Sequence, residues 1–283
     1  MKNILYLPLV RIPAIFIDLF YRFIAIFNSK NKYHQLFYHN IGNRLNLQVV
    51  NDGIVFDASF KSPASRAERL LEKEPDMLHW INANMKSGEV LYDIGANIGE
   101  YSLYGALRNV EVVAFEPESS TYAILNKNIH LNKFDNKIKA LNLALHDEDR
   151  ISYLNISNYQ PGKSCHTFHN QVNQDLKPFS PAFRQYVVGM KMDTLLEKYS
   201  LPFPDHVKID VDGNEHKIIK GMENILSDKR LKSIAVEINM NLDEHMKIIN
   251  ILKSSGFVRL EEPEYINDTY LETGYLNYFF VRK

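Results

Sequence analysis

The chain has 283 residues, of which 45% are hydrophobic and 24% charged, with 12 Gly and 11 Pro. That composition excludes disorder, collagen and low-complexity arrays, and the length suits one elaborated α/β domain or two smaller ones. Lys and Arg number 33 against 34 Asp and Glu, so no global field attracts a polyanion and nucleic acid is not an expected partner.

From Ile4 to Phe27 the only charges are Arg11, Asp18 and Arg22. On a helix turning about 100° per residue they fall within about 40° of one another, while Ile12, Ile15, Phe16, Leu19, Phe20, Phe23 and Phe27 cover the remaining surface. The charges interrupt every run before the roughly 20 apolar residues of a membrane span. Asp18 and the lack of a small-x-small cleavage site disfavour a secretory signal. Two readings stand for residues 1–30. One is an amphipathic helix in a membrane interface, giving peripheral contact with the cytoplasmic membrane face through residues 4–27. The other is a hydrophobic helix packed on the core or on a partner subunit.

Residues 31–86 read as an accessory region. Leu45 to Val50 and Ile54 to Asp57 flank Asn51-Asp52-Gly53 as a β-hairpin whose Asp-Gly accepts positive φ. Ser65 to Met85 carries a helical pattern through Leu70, Leu71, Met77, Leu78 and Ile81, with a break at Pro75. From residue 87 the pattern becomes strand, then helix. Val90-Leu91-Tyr92, Val112 to Phe115, Ile138 to Leu145, Val207 to Val211 and Ile234 to Ile238 are short apolar runs of parallel βαβ units. The stretch Asn155 to Tyr186 is polar and aromatic, and its length predicts an acceptor-binding loop. His166 and His169 in it are alternative bases near neutral pH or ordinary hydrogen-bonded loop residues. Cys165 is the single cysteine, which leaves no internal disulfide and favours a reducing, cytoplasmic setting. Phe257 to Leu260 and Tyr275 to Val281 close the chain as an antiparallel edge pair.

The most informative stretch is Asp93-Ile94-Gly95-Ala96-Asn97-Ile98-Gly99, a D-x-G-x-N-x-G turn between a buried strand and a helix. Glycine permits the sharp turn and close approach of a ligand, and Asn97 tolerates a left-handed backbone. The turn is not G-x-G-x-x-G, and a carboxylate at Asp93 repels a pyrophosphate but favours a cationic ligand. Glu116 follows Asp93 by 23 residues and ends the second strand, where an acid binds the two ribose hydroxyls of a nucleoside. The two features together predict nucleoside binding rather than a merely structural tight turn.

VLYDIGANIGEYSL followed by VVAFEPES is similar to the first two motifs of S-adenosylmethionine-dependent methyltransferases, specifically the FkbM family. Val207 to Glu215, VKIDVDGNE, resembles that family's K-I-D-V-E-G-x-E segment, and Ala235-Val236-Glu237-Ile238 resembles its late strand. The likeness covers about residues 70–260. Asp212 stands where the family usually has Glu, and Asn214 where a small residue is common. The resemblance implies an α/β fold: a class I methyltransferase Rossmann-like sheet over 87–283, mainly parallel with an antiparallel final strand, preceded by an N-terminal helix and hairpin region. It implies S-adenosylmethionine as the cofactor, with Gly95, Ala96, Asn97 and Gly99 along its methionine and ribose part and Glu116 on the ribose. Asn142, Leu143 and Ala144 would approach the adenine. Asp93 would hold the methionine end or orient the turn, and Asp210 would face the transferring methyl.

A hydroxyl acceptor must also lose its proton, and Asp210, Asp212, Glu215 and His216 cluster where a base would stand. Lys208 and Asp210 lie two apart on a strand and share a face. Asp212 and Glu215 read equally as a carboxylate capping pair for the next helix. Asp210 and Glu237, with Asn239 just beyond, are alternative oxygen ligands for a divalent cation, although nothing in their spacing demands one. The expected activity is methyl transfer to a hydroxyl of a sugar, glycan or glycolipid, the sugar resting on family analogy. The alternatives are a nucleotide-dependent oxidoreductase, against which Asp93 and the missing third glycine speak, and a non-catalytic membrane-associated binding protein, against which the intact turn and Glu116 speak.

Overall fold

The computed structural model describes residues 47–260 and 274–282. The expected N-terminal helix with its membrane contact, and the polar connection after Leu260, lie outside the described residues. The described chain from Gln48 onward forms one compact unit.

Strands β1 (Gln48–Asn51) and β2 (Ile54–Asp57) pair antiparallel across Asp52 and Gly53, whose φ values of 50° and 78° meet the demand of a two-residue type I′ turn. Three short helices follow: α1 (Lys61–Glu68), α2 (Leu70–Lys73) and α3 (Pro75–Asn84). The single helical pattern read from Ser65 to Met85 therefore starts earlier and is divided at Arg69 and Glu74, which leave helical φ/ψ. Pro75 opens α3 rather than breaking a longer helix, because the first helical position needs no N–H. Trp80 is fully buried, and its indole N–H donates to Ser233 Oγ at 3.1 Å, fastening α3 to the sheet.

Strands β3 (Val90–Ile94), β4 (Glu111–Phe115) and β5 (Ile138–Leu141) alternate with α4 (Glu100–Leu107) and α5 (Ser119–Asn132). Strands β6 (Ala144–Leu145), β7 (Arg150–Ile156), β8 (Thr167–Phe168) and β9 (Phe183–Met190) build a separate four-stranded sheet in the order β6-β9-β7-β8. The chain continues through α6 (Met192–Lys198), β10 (His206–Ile209), α7 (Glu215–Lys220) and α8 (Glu223–Ser227). It closes with β11 (Ser233–Asn239), α9 (Asp243–Ser254), β12 (Phe257–Arg259) and β13 (Tyr275–Arg282).

The main sheet has seven strands in the order β12-β13-β11-β10-β3-β4-β5. β11, β10, β3, β4 and β5 run parallel, and β13 lies antiparallel between β11 and β12. The sequence expectation of a mainly parallel sheet with an antiparallel final strand is met. Successive strand residues serve opposite faces. Tyr92, Phe115, Ile209 and Val236 enter one core, and Leu91, Val112, Ala114 and Ala235 enter the other. Because both faces are covered, the central strands read as continuous apolar runs. Strand order reverses between β3 and β10, so their C-terminal ends open the crevice where a doubly wound sheet takes its ligand.

Two local expectations change. Ile138 to Leu145 reads as one strand, but the chain leaves the main sheet after Leu141, and Ala144–Leu145 joins β9. The Asn142 amide donates to the carbonyls of Glu116 (2.8 Å) and Pro117 (3.0 Å), which draws the chain off the line of β5. The interruption read from Asn155 to Tyr186 begins and ends in strands, with β7 and β9 paired from Arg150↔Gly189 to Ile156↔Phe183. The hairpin edge is also closed in an unexpected way. Asn132 accepts from Val55 N at 2.9 Å and donates to Val55 O at 2.7 Å, and Asn128 accepts from Asp57 N at 2.7 Å, so two side chains of α5 act as a third strand. No helix among the described residues is long and apolar enough to cross a membrane.

Candidate active site

At the end of β3 the chain turns through Gly95 (φ 75°), Asn97 (φ 50°) and Gly99 (φ 91°), and α4 opens immediately. The N–H groups of Gly95 and Ala96 both donate to Phe115 O at 3.0 Å, which folds the turn over β4. A Cβ at Gly95 would lie 1.8 Å from the Asp210 carbonyl oxygen, so only glycine lets the two loops meet. Gly95→Ala should therefore cost about 2–5 kcal/mol, the sum of left-handed strain and overpacking against backbone. An unfolding midpoint in urea equal to that of the unaltered protein would refute this close approach.

Glu116, at the end of β4, faces the turn. Its Oε2 accepts from Asn97 N at 2.9 Å and its Oε1 from Glu118 N at 2.8 Å. Burial pushes its carboxyl up to about 7, against the pull of those two N–H groups. Each oxygen keeps a further lone pair.

Beyond β10 the sequence-predicted acids separate. Lys208 is buried, with its ammonium 3.2 Å from Asp93 Oδ1 and 3.5 Å from Asp210 Oδ2, and it donates to Gly95 O at 3.0 Å. The Asp93 contact is an ion pair by distance without the alignment of a hydrogen bond. Burial opposes the charge on Lys208, yet Asp93 and Asp210 hold its ammonium well above the usual lysine range. Burial would likewise raise Asp210, but Lys208, with Lys73 and Arg66, keeps that carboxyl below the ordinary range. Asp212 sits at φ 57° and accepts from Cys165 N at 2.6 Å. Burial and the charge of Asp210 push its carboxyl up to about 6. Glu215 turns back instead, accepting from Val211 N (3.0 Å) and Gly213 N (3.1 and 3.0 Å). Behind it, His245 accepts from Asn239 N at 3.1 Å, so its Nε2 hydrogen faces Gly213 O and Glu215 Oε2, both at 3.2 Å. The capping pair read from the sequence thus has Asn214 at the helix entry, with Asp212 committed to Cys165.

A single cleft of about 700 Å³ collects Gly95, Ala96, Asn97, Glu116, Lys208, Asp210 and Asp212, and adds Glu237 and His166. Burial, together with Asp210, Glu215 and Asp212, holds the Glu237 carboxyl well above its ordinary range. Other expected residues lie off this cleft, each for a visible reason. Asp93 is fully buried beneath the turn, where it accepts from Ser102 Oγ at 2.6 Å and braces α4. A Cβ at Gly99 would lie 2.6 Å from Leu125 Cδ1, which places that glycine against α5. Asn142 is committed to the carbonyls already described. Leu143 and Ala144 instead line an adjoining apolar recess of about 40 Å³. His169 faces Ser152 and Arg150, and His216 packs against His245.

Sequence reasoning missed one wall of the cleft, formed by Arg66, Arg69, Glu72, Lys73 and Glu74; Lys163 and Ser164, on the strap between β7 and β8 that falls within the expected acceptor-binding loop, line it as well. Arg66, Arg69 and Lys73 fall at helical spacing, a stripe that reads as a solvated face. Among the described residues no group of three or more His, Cys, Asp or Glu is placed to hold a metal ion.

A seven-stranded sheet in this order, with a crevice at the β3–β10 reversal walled by a glycine turn and carboxylates, defines a class I methyltransferase. The chain belongs to the FkbM methyltransferase family, whose model, "Methyltransferase FkbM domain", matches residues 93–259. Two relatives are similar to it. Methyltransferase sdnD of Sordaria araneosa is 29% identical over 168 residues, covering 50% of this chain and 63% of that protein. The hexuronic acid methyltransferase AglP of Haloferax volcanii is 26% identical over 179 residues, covering 62% of this chain and 66% of that protein. The alignments thus span just under two thirds of either relative. Among solved structures, the precorrin-6y C5,15-methyltransferase of Geobacter metallireducens GS-15 has a TM-score of 0.41 at 14% identity, over 83% of this chain and 97% of that one.

The family and fold imply S-adenosylmethionine as methyl donor, and the residues present fit it. The cleft volume lies within the ~300–1,000 Å³ of small-molecule sites. Glu116 keeps acceptor capacity toward the cleft, and Asp210, Asp212 and Glu237 line it, with the neighbouring Lys208 paired to Asp93 and Asp210, as a sulfonium requires.

Proposed function

We propose that this protein transfers a methyl group from S-adenosylmethionine to a hydroxyl oxygen of a sugar, glycan or glycolipid. The observation that carries the reading is the convergence of the Gly95–Asn97 turn, Glu116, Asp210 and Asp212 on one cleft. The relative named for hexuronic acid supports a sugar acceptor. Residues 87–283 serve as the donor-binding domain in this reading. The accessory region before it closes the acceptor side through Arg66, Arg69 and Lys73.

When bound, S-adenosylmethionine supplies an electrophilic methyl on a sulfonium sulfur. Gly95, Ala96 and Asn97 border its amino-acid and ribose part, and Glu116 accepts from the ribose hydroxyls. Asp210, kept ionised by Lys208, offers a fixed negative charge to the cationic end. Asp212 would take the hydroxyl proton, leaving the acceptor oxygen as the nucleophile for the methyl. Alignment of held reactants removes up to about 7–11 kcal/mol of such a barrier, so positioning carries most of the work.

Glu116→Ala should weaken S-adenosylhomocysteine binding at least about tenfold, or about 1.4 kcal/mol, by calorimetry. Unchanged affinity would remove Glu116 from the donor site. The acceptor class is tested by mass spectrometry of glycans and glycolipids from cells with and without the gene, in search of the ~14 Da of an added CH₂ group. Identical glycan profiles, with the donor bound by the purified protein, would overturn the sugar acceptor.

A further inference from the structure

The cations of the cleft fall into two groups. Lys208 lies between Asp93 and Asp210, Arg66 pairs with Glu100 at 3.1 Å, and Lys73 pairs with Glu74. Arg69 and Lys163 are exposed at the rim. Among the described residues the Arg69 guanidinium donates only to Ser65 O, at 3.3 Å, and the Lys163 ammonium meets no carboxylate.

These two side chains are carried by segments that one knot holds together. Gly162 O accepts from Ser62 Oγ at 2.8 Å and from Arg66 Nε at 2.9 Å, and Gly162 N donates to Thr121 Oγ1 at 2.9 Å. A Cβ at Gly162 would lie 2.9 Å from the Pro63 ring, so strap and helix touch there. Lys163 is the next residue, and its carbonyl accepts from Asn97 Nδ2 at 3.2 Å. Arg69 stands three residues beyond Arg66, at the residue that caps the C-terminal end of α1. The knot thus brings two cations that no acid among the described residues neutralises to one stretch of rim, while the paired cations and Asp210 are less exposed.

We infer that the acceptor carries an anionic group, a carboxylate or a phosphate, which Arg69 and Lys163 hold at the rim. The inference rests on the sugar-methylating reading and adds a substrate class to it. A guanidinium fork matches either oxyanion bidentately, and the ammonium adds a point charge. A charged group held at the rim leaves a hydroxyl of the same sugar to enter the cleft toward Asp212.

The test is calorimetric binding of three sugars to the protein loaded with S-adenosylhomocysteine, at low ionic strength: methyl β-glucuronide, glucose 6-phosphate and the neutral methyl β-glucoside. At least one acidic sugar should bind about tenfold or more tightly than the neutral one, and whichever does identifies the oxyanion. The Arg69→Ala/Lys163→Ala double variant should lose that preference and keep its affinity for S-adenosylhomocysteine, and Arg69→Lys should retain part of it. Equal binding of all three, or a preference that survives the double variant, overturns the anion site and leaves the sugar reading standing. Loss of S-adenosylhomocysteine binding in the double variant also overturns it, by assigning the two cations to the donor. If no sugar binds the loaded protein, the sugar reading fails and this inference fails with it.

Discussion

Lys208→Met should lower the folding free energy by about 3–5 kcal/mol, the range for removing one partner of a buried ion pair. The substitution roughly keeps the volume, so the loss is electrostatic rather than a cavity. Asp93 would remain fully buried with Ser102 as its remaining donor, and Gly95 O would lose its ammonium partner. The pH dependence fixes the sign. Asp210 is held below its ordinary value in the folded protein, so its contribution is complete above about pH 4 and fades as pH falls through the folded value. In the variant the same carboxyl loses the cation that lowers it most and protonates more readily. The stability gap between the two proteins should therefore be full at pH 7 and narrow below about pH 4. Urea unfolding at both pH values measures it, and a gap independent of pH would show that Lys208 acts through packing alone.

Asp212→Asn should reduce kcat by about 10²–10⁴-fold, the usual contribution of a positioned base, with S-adenosylhomocysteine affinity retained. Asparagine keeps the acceptor oxygen for Cys165 N, so the left-handed loop conformation can persist. The base works only when ionised. In the unaltered enzyme kcat should therefore rise with pH through about 6, where burial and Asp210 place this carboxyl. Normal turnover in the variant would remove Asp212 from the mechanism. His166, which lines the same cleft and whose ring burial keeps neutral, would then be the group to replace.

The sheet was legible because its central strands are buried on both faces and appear as uninterrupted apolar runs, with the reversal point marked by the Asp93–Gly99 turn and Glu116. The hairpin was legible from two alternating runs on either side of Asp52-Gly53. What escaped depends on contacts far apart in the chain. The end of β5 is set by the Asn142 amide reaching Glu116 and Pro117 carbonyls, and no local pattern announces such a bond. The same holds for the cleft wall. Arg66 and Arg69 look like the wet face of a helix until Gly162 is seen to accept from Arg66 and Ser62 across about a hundred residues. The spacing of Asp212 and Glu215 suggested one shared task, but Asp212, in its left-handed turn, accepts from Cys165 N while Glu215 accepts from Val211 N and Gly213 N.

The amide closure of the hairpin has a consequence for the order of assembly. A two-stranded hairpin is marginal by itself in water. Among the described residues Val55 obtains its outer partner from Asn132, 77 residues later. Closing so long a loop is slow, because its entropy is spent before the contact repays it. During synthesis the hairpin leaves the ribosome well before the helix that secures it, so its strands stay without their outer partner until α5 has been made.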